Sequence, residues 1–172
     1  MAVLPIIIAP DPRLKIVCDP VDEVTDEIAR LMDDMLETMY MAPGVGLAAP
    51  QVGVARRVIV VDPSPRDGER QPIKMANPKL IDVSNETMKH EEGCLSFPDH
   101  YSHVIRPSKV NVRYIDEDNQ QREIDAEDML ATCIQHEMDH LDGVLFVDHI
   151  SMLKRNIILR KLTKSKKWAA AE

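Results

Sequence analysis

Asp125-Ala126-Glu127-Asp128-Met129-Leu130-Ala131-Thr132-Cys133-Ile134-Gln135-His136-Glu137-Met138-Asp139-His140-Leu141-Asp142-Gly143 is the stretch on which the fold turns. Apolar or weakly polar residues lie on almost every face: Met129, Leu130, Cys133, Ile134, Met138 and Leu141. Such a segment is a helix buried in the middle of a fold. Asp125 begins it, with Glu127 and Asp128 at the end where the dipole favours acids, and Gly143 stops it. His136 and His140 are four apart, on one face and about 6 Å apart along the axis, so both imidazoles can close on one ion. Glu137 stands one residue round, near enough to take a proton from water at that ion without being a ligand. Unpaired burial of these groups would be costly, so the H-E-x-x-H spacing implies a mononuclear metal-dependent hydrolase.

Around this helix the chain reads as α+β, a single domain over residues 1–172 with antiparallel strands around a central metal-binding helix. Thr25 to Met41 predicts a first helix, with Thr25 as cap and Ile28, Leu31, Met32, Met35, Leu36 and Met39 in one stripe. Pro43 and Gly44 stop it, and Gly44 to Gly53 is small and nearly free of charge. Arg57 to Val61 reads as a buried strand, and strand-like pieces follow at Ile73–Met75, Lys79–Val83 and Thr87–His90. Val110, Val112 and Tyr114 alternate with polar residues, and Gln121 to Ile124 returns beside them as a hairpin. A third helix is predicted from Ser151 to about Lys164, its apolar residues Leu153, Ile157, Ile158 and Leu162.

The formal net charge is -8, which argues against broad nucleic-acid binding, DNA included. Lys154 to Lys167 holds seven of the 21 basic residues and no acid, leaving 14 bases against 28 of the 29 acids before it. An acidic body with a basic tail could meet an anionic partner through the tail alone. No run approaches the roughly 18 apolar residues of a membrane span. Three cysteines and a start without the basic region of a signal peptide imply a reducing, cytoplasmic setting.

Two histidines do not complete a catalytic site, and the third ligand decides the enzyme. Thermolysin-like peptidases place a Glu downstream, but none occurs between Glu137 and Glu172. The metzincin spacing puts Phe146 where a third His would stand. Asp148 and His149 remain formal candidates. Cys133 cannot share an ion with His140, because seven helical residues separate them by about 10.5 Å. Cys18 has nothing around it to activate it. Cys94 is better placed, in Glu91-Glu92-Gly93-Cys94-Leu95-Ser96-Phe97-Pro98, where Gly93 frees the backbone and Pro98 is expected to end the extended run. A Cys/His/His set with an open fourth position is a known catalytic geometry.

Three separated motifs resemble peptide deformylases of the bacterial kind: Gly44-Val45-Gly46-Leu47-Ala48-Ala49-Pro50-Gln51, Glu92-Gly93-Cys94-Leu95-Ser96, and Gln135 to Gly143. Pro10 to Leu14 fits as well, and Ala42-Pro43 and Pro98 to Tyr101 resemble the alphaproteobacterial or organelle-type branch. The resemblance covers nearly the whole chain. It implies removal of the formyl group from N-formylmethionyl peptides and nascent chains, with Cys94, His136 and His140 holding one divalent ion. Fe²⁺ would be native, with Ni²⁺, Co²⁺ or Zn²⁺ as substitutes. It implies Glu137 as general base and Gln51 with the Leu95 backbone N–H as donors to the formyl oxygen. On the residues alone, Gln51 reads more readily as a surface side chain after a proline. A substrate pocket of Val45, Gly46, Leu47, Met129 and Cys133, with His90 at its mouth, follows from the same likeness. Tyr101 stands where many family members carry Arg, with Arg106 as a candidate substitute. The acidic body, if it surrounds the cleft, would disfavour acidic residues after the methionine. The basic helix has a plain reading as a solvated face, and the resemblance adds contact with the ribosome.

Overall fold

Val58, Ile59, Val60 and Val61 are buried on both faces, the mark of a strand covered by helices above and below. The computed structural model describes residues 1 to 171. A five-stranded antiparallel sheet runs in the order β1 (Gly46–Ala48), β2 (Val58–Val61), β3 (Ile73–Val83), β6 (Lys109–Ile115), β7 (Gln121–Glu127). β4 (Thr87–Cys94) and β5 (Phe97–Pro107) form a separate hairpin. The helices are α1 (Asp26–Met41), α2 (Asp128–Leu141) and α3 (Met152–Ala171), so the fold is α+β with α2 internal, as its composition implies.

Strand alternation divides the core. Val58, Val60 and Leu47 pack with Met32, Met35, Leu36 and Met39 of α1 on one side of the sheet. Ile59, Val61 and Ala48 pack with Ala131, Cys133, Ile134, Met138 and Leu141 of α2 on the other. A third cluster joins Leu14, Phe97, Val104, Phe146, Ile158 and Leu162 beneath the hairpin and α3. Methionines thus fill gaps that the few aromatics leave.

Four expectations change. α2 begins at Asp128 instead of Asp125, because β7 stays paired with β6 through Lys109↔Glu127; Asp128, at φ 51, makes the turn from strand to helix. β3 is continuous where two pieces were expected. Asn77 kinks it at φ 49 and clamps Val21, accepting from its N–H at 2.9 Å and donating to its carbonyl at 2.8 Å. Pro98 does not end the extended run; it lies inside β5, a strand too polar to stand out in sequence. α3 continues to Ala171 and buries only Ile158 and Leu162 of the expected stripe, leaving Leu153 73% and Ile157 40% exposed.

Asp148 fastens the start of α3 to the body. Its carboxylate accepts from Lys15 Nζ at 2.7 Å, Arg155 Nε at 3.0 Å and the Leu145 N–H at 2.9 Å. Burial opposes its charge, but these donors outweigh burial and hold its pKa below the ordinary value. A lowered carboxyl pKa contributes stability above the unfolded value, near about 4, and loses it as pH falls through the folded value. Asp148→Asn should therefore melt roughly 2–6 °C lower at pH 7, with the gap closing as pH falls below about 4. An equal gap at pH 3 and pH 7 in thermal melts would refute this account.

Candidate metal centre

Three chain segments converge at one end of the sheet. α2 brings His136, Glu137 and His140; the end of β4 brings Cys94; the 3-10 turn Ala49–Val52 brings Gln51. The pairing of β4 with β5 shifts register between Gly93 and Cys94, an irregularity that re-aims the cysteine. Ligand atoms of Cys94, His136 and His140 all lie within 4.8 Å of one another. Cys94 Sγ is 3.4 Å from His140 Nε2. A sulfur and an imidazole nitrogen on one tetrahedral ion stand roughly 3.5 Å apart, given bonds near 2.3 and 2.0 Å. The residues present therefore fit a divalent first-row ion, which a thiolate and two imidazoles suit by donor chemistry.

The supporting contacts fix each ligand. His136 Nδ1 meets Glu92 Oε1 at 2.8 Å, which leaves Nε2 for the ion. Phe146 lies stacked beside the His136 ring, its centroid 6.1 Å away. Arg106 grips Glu92 with two donors, Nε to Oε2 at 2.7 Å and Nη2 to Oε1 at 2.9 Å. Its third donor, Nη1, reaches Asp139 Oδ2 at 2.8 Å, and His149 Nε2 meets that same oxygen at 2.8 Å. Burial works against the Glu92 charge, but hydrogen bonds with His136 and Arg106 hold its pKa down to about 2.

Glu137 is 5% exposed, and its Oε2 has no hydrogen-bond partner among the described residues. Burial pushes its carboxyl up to about 7, against the opposing pull of His136. A Cβ on Gly46 would lie 2.5 Å from Glu137 Oε1, so glycine is what lets β1 pass this close. Gln51, 1% exposed, is no surface residue: Oε1 accepts from the Ala48 N–H at 2.9 Å, and Nε2 donates to Ser96 Oγ at 3.1 Å and faces Cys94 Sγ at 3.4 Å.

The cluster opens into a cavity of about 620 Å³ lined by Val45, Gly46, Leu95 and Phe97 among others, with Cys94, His136 and Glu137 on its wall. Leu47, Met129, Cys133 and His90 lie outside this lining. Strand alternation turns Leu47 into the core beneath α1, and Cys133 is buried between α2 and the sheet, where burial pushes its thiol up to about 12. Met129 is 43% exposed on the first turn of α2. His90, on β4, has a buried Nε2 with no partner among the described residues. Asp148 and His149 drop out as metal ligands, since both are engaged elsewhere. Arg106 cannot replace a cation at position 101, because it is 5% exposed and held by two carboxylates. Tyr101 instead lies against Gly93, where a Cβ would come within 2.6 Å of its ring. Sequence reading quoted Glu92 without giving it a role. Its signal was there: in β4, residues 88, 90 and 92 point inward, and an inward acid needs a partner.

Fold and site together define a class, the metal-dependent hydrolases built on an H-E-x-x-H helix, here with a cysteine in the ligand set. Residues 3–156 match the family model described as polypeptide deformylase. A peptide deformylase of Methylocella silvestris is 54% identical over 175 residues, covering 100% of this chain and 89% of that protein. One of Rhizobium meliloti is 49% identical, covering 100% of this chain and 99% of its own. The crystal structure of peptide deformylase from Ehrlichia chaffeensis has a TM-score of 0.93 at 37% identity, covering 98% of this chain and 99% of that one. The chain belongs to the polypeptide deformylase family: it is a metal-dependent hydrolase that removes N-formyl groups.

Loss of a carboxylate behind a ligating histidine weakens metal binding about 10- to 100-fold. Glu92→Gln should do so here, measured by chelator competition with Co²⁺ or Ni²⁺. It should also destabilise the fold, since Arg106 keeps its burial and loses its main counter-charge. Unaltered metal affinity in a folded Glu92→Gln protein would show that Glu92 does not orient His136.

Proposed function

We propose that this chain removes the formyl group from the N-terminal methionine of newly made proteins in the cytoplasm, with Cys94, His136 and His140 holding Fe²⁺. Ni²⁺, Co²⁺ or Zn²⁺ would serve as substitutes. The observation that carries the reading is buried Glu137, whose Oε2 has no hydrogen-bond partner among the described residues and whose Oε1 lies against Gly46, on the cavity wall it shares with Cys94 and His136. When bound, the ion supplies Lewis acidity that polarises a carbonyl and makes water a nucleophile at neutral pH.

The substrate backbone is assigned to the free edge of β1. The Val45 carbonyl accepts from the Asp62 N–H at 2.8 Å, toward the β2 side. Alternation then turns the N–H and C=O of Gly46 to the cleft, where an extended peptide can add as a strand. The next outward N–H, at Ala48, is already taken by Gln51. That contact aims the Gln51 Nε2 at the Cys94 edge of the site, where it and the Leu95 N–H donate to the formyl oxygen as negative charge grows there. Glu137 takes the proton of the attacking water and passes it to the departing amine, so formate and a free amino terminus leave. A carboxyl near pH 7 suits both transfers.

The methionine side chain is assigned to the stripe of α2 that leads to the ligands. Met129 and Cys133 stand four apart on the face that continues to Glu137. On β4, His90 shares the inward side with Glu92, and Val45 lies at the cleft wall. Contact with the ribosome is assigned to α3, where Ile158 and Leu162 hold the helix to the body while Lys161, Lys164 and Lys166 face outward. Among the described residues, no helix is long and apolar enough to cross a membrane.

Anaerobically purified protein with its metal content measured should release formate from formyl-Met-Ala-Ser. Glu137→Gln should keep the ion and lose at least about a hundredfold in kcat. A fully metallated protein that releases no formate would overturn the assignment. Reversing charge at Lys161, Lys164 and Lys166 should weaken ribosome binding and flatten its salt dependence. Unchanged, salt-sensitive binding by that triple variant would remove α3 from the contact.

A further inference from the structure

The loop from Asp62 to Gln71 leaves β2 immediately after Val61, the residue paired with Gly46, and so starts beside the substrate edge of β1. Its base is rigid. Asp62 is 4% exposed and accepts from Tyr40 Oη at 2.5 Å, from the Ser64 N–H at 3.1 Å and hydroxyl at 2.5 Å, and from the Gln71 N–H at 3.4 Å. Arg70 lies over the Tyr40 ring, 3.9 Å from its centroid. Ahead of it, Gly68 N–H closes a turn on the Pro65 carbonyl at 2.9 Å, and Arg66 is the second residue of that turn.

Arg66 lines the same cavity as Cys94 and Glu137. Among the described residues it is the only lysine or arginine that does so, and its guanidinium makes no ion pair or hydrogen bond. Its neighbours on this wall, Pro43 to Gly46, carry no charge, and the other non-catalytic charge, Asp99, belongs to the β5 wall. Polarity along the cleft then follows from β1. That strand runs from Gly46 toward Gln51, so an antiparallel peptide with its formyl end at Gln51 and Cys94 runs outward past Gly46 to Gly44. At about 3.3 Å per residue, the first two or three residues after the methionine reach the level of Val45, where the loop is tied down.

We propose that Arg66 is a specificity-determining residue that favours a substrate carboxylate just downstream of the formyl-methionine. This rests on the deformylase reading and deepens it. It reverses what the net charge of -8 suggests on its own. At physiological ionic strength charges beyond about 8 Å are largely screened, so the unpaired guanidinium in the lining counts for more than carboxylates outside it, and Asp99 on the β5 wall is the non-catalytic carboxylate it competes with there. The carboxylate can belong to a side chain or to the end of a short peptide, and the two are separable by amidation.

The test measures kcat/KM for formyl-Met peptides carrying Asp, Ala or Lys at the second or third position, each as C-terminal acid and amide, with wild type and Arg66→Glu. An Asp-over-Lys ratio of about 3 to 10 in amidated peptides, inverted in Arg66→Glu and shrinking with salt, establishes a side-chain carboxylate. An acid-over-amide preference lost in Arg66→Glu, without that ratio, establishes a terminal one. Ratios indifferent to the substitution, with turnover intact, overturn the role of Arg66 alone. No formate from any peptide, neutral ones included, overturns the deformylase reading and this inference with it.

Discussion

Glu92 accepts from His136 and Arg106 at once, and the site depends on that shared carboxylate. α2 can occupy the middle of the fold because it is apolar on most faces, yet it carries two imidazoles and a carboxyl into the interior. Such groups are tolerated only when paired or bound to an ion. Glu92 supplies one negative charge behind His136, and Arg106 neutralises it without reaching the ion. Asp139, one residue before His140, accepts from the third nitrogen of Arg106, Nη1, and joins it to His149 at the surface. The helix, the hairpin and the segment after α2 are thus locked to one another by polar contacts, not only by core packing. Glu137 is left as the carboxyl whose Oε2 has no hydrogen-bond partner among the described residues, and burial raises it despite the pull of His136 and Arg106.

The sheet answers a second constraint. An edge strand with free backbone groups is a liability for aggregation, and β1 is such an edge. It is three residues long, Gln51 occupies the Ala48 N–H, and the hairpin forms the opposite wall of the cleft. What stays open is the backbone around Gly46, next to Glu137. The shortness that suppresses unwanted pairing thus leaves one open stretch of backbone, and glycine there lets it pass close to Glu137.

Much of this was legible in the sequence, and the parts that were not share a cause. α1 and the His136–His140 pair declare themselves by period, because a helix repeats its chemistry over several turns. β2 declares itself by an unbroken apolar run. β5 was hidden, since it contains Pro98 and Pro107 and its run from Asp99 to His103 is polar apart from Tyr101, with Asp99 and Tyr101 at the cleft. The start of α2 was hidden because Asp125 and Glu127 suit a helix cap as well as an edge strand, and only pairing with β6 decides between them. Arg106 was legible as a cation but not as a buried one. Its burial is created by Glu92 and Asp139, 14 and 33 residues away in sequence. Local pattern carries periodicity; it does not carry pairings made across the fold.

The three cysteines show how far environment overrides residue type. Cys18 and Cys133 are buried in the same apolar cluster between α2 and the sheet, and burial raises both thiols, Cys133 to about 12. Neither forms the thiolate that a metal requires at neutral pH. Cys94 differs in three ways that the register shift after Gly93 brings about. It is only partly buried, it faces His140 Nε2, and the Gln51 amide lies within 3.4 Å of its sulfur. Helical reach could exclude Cys133 from the sequence alone, but it could not select Cys94 over Cys18. The selection is made by a single irregularity in a two-stranded hairpin, whose strands hold few residues that a sequence reader would mark as structural. The same partial exposure that leaves Cys94 free to bind an ion also leaves it open to oxidation, a hazard that buried Cys18 and Cys133 escape.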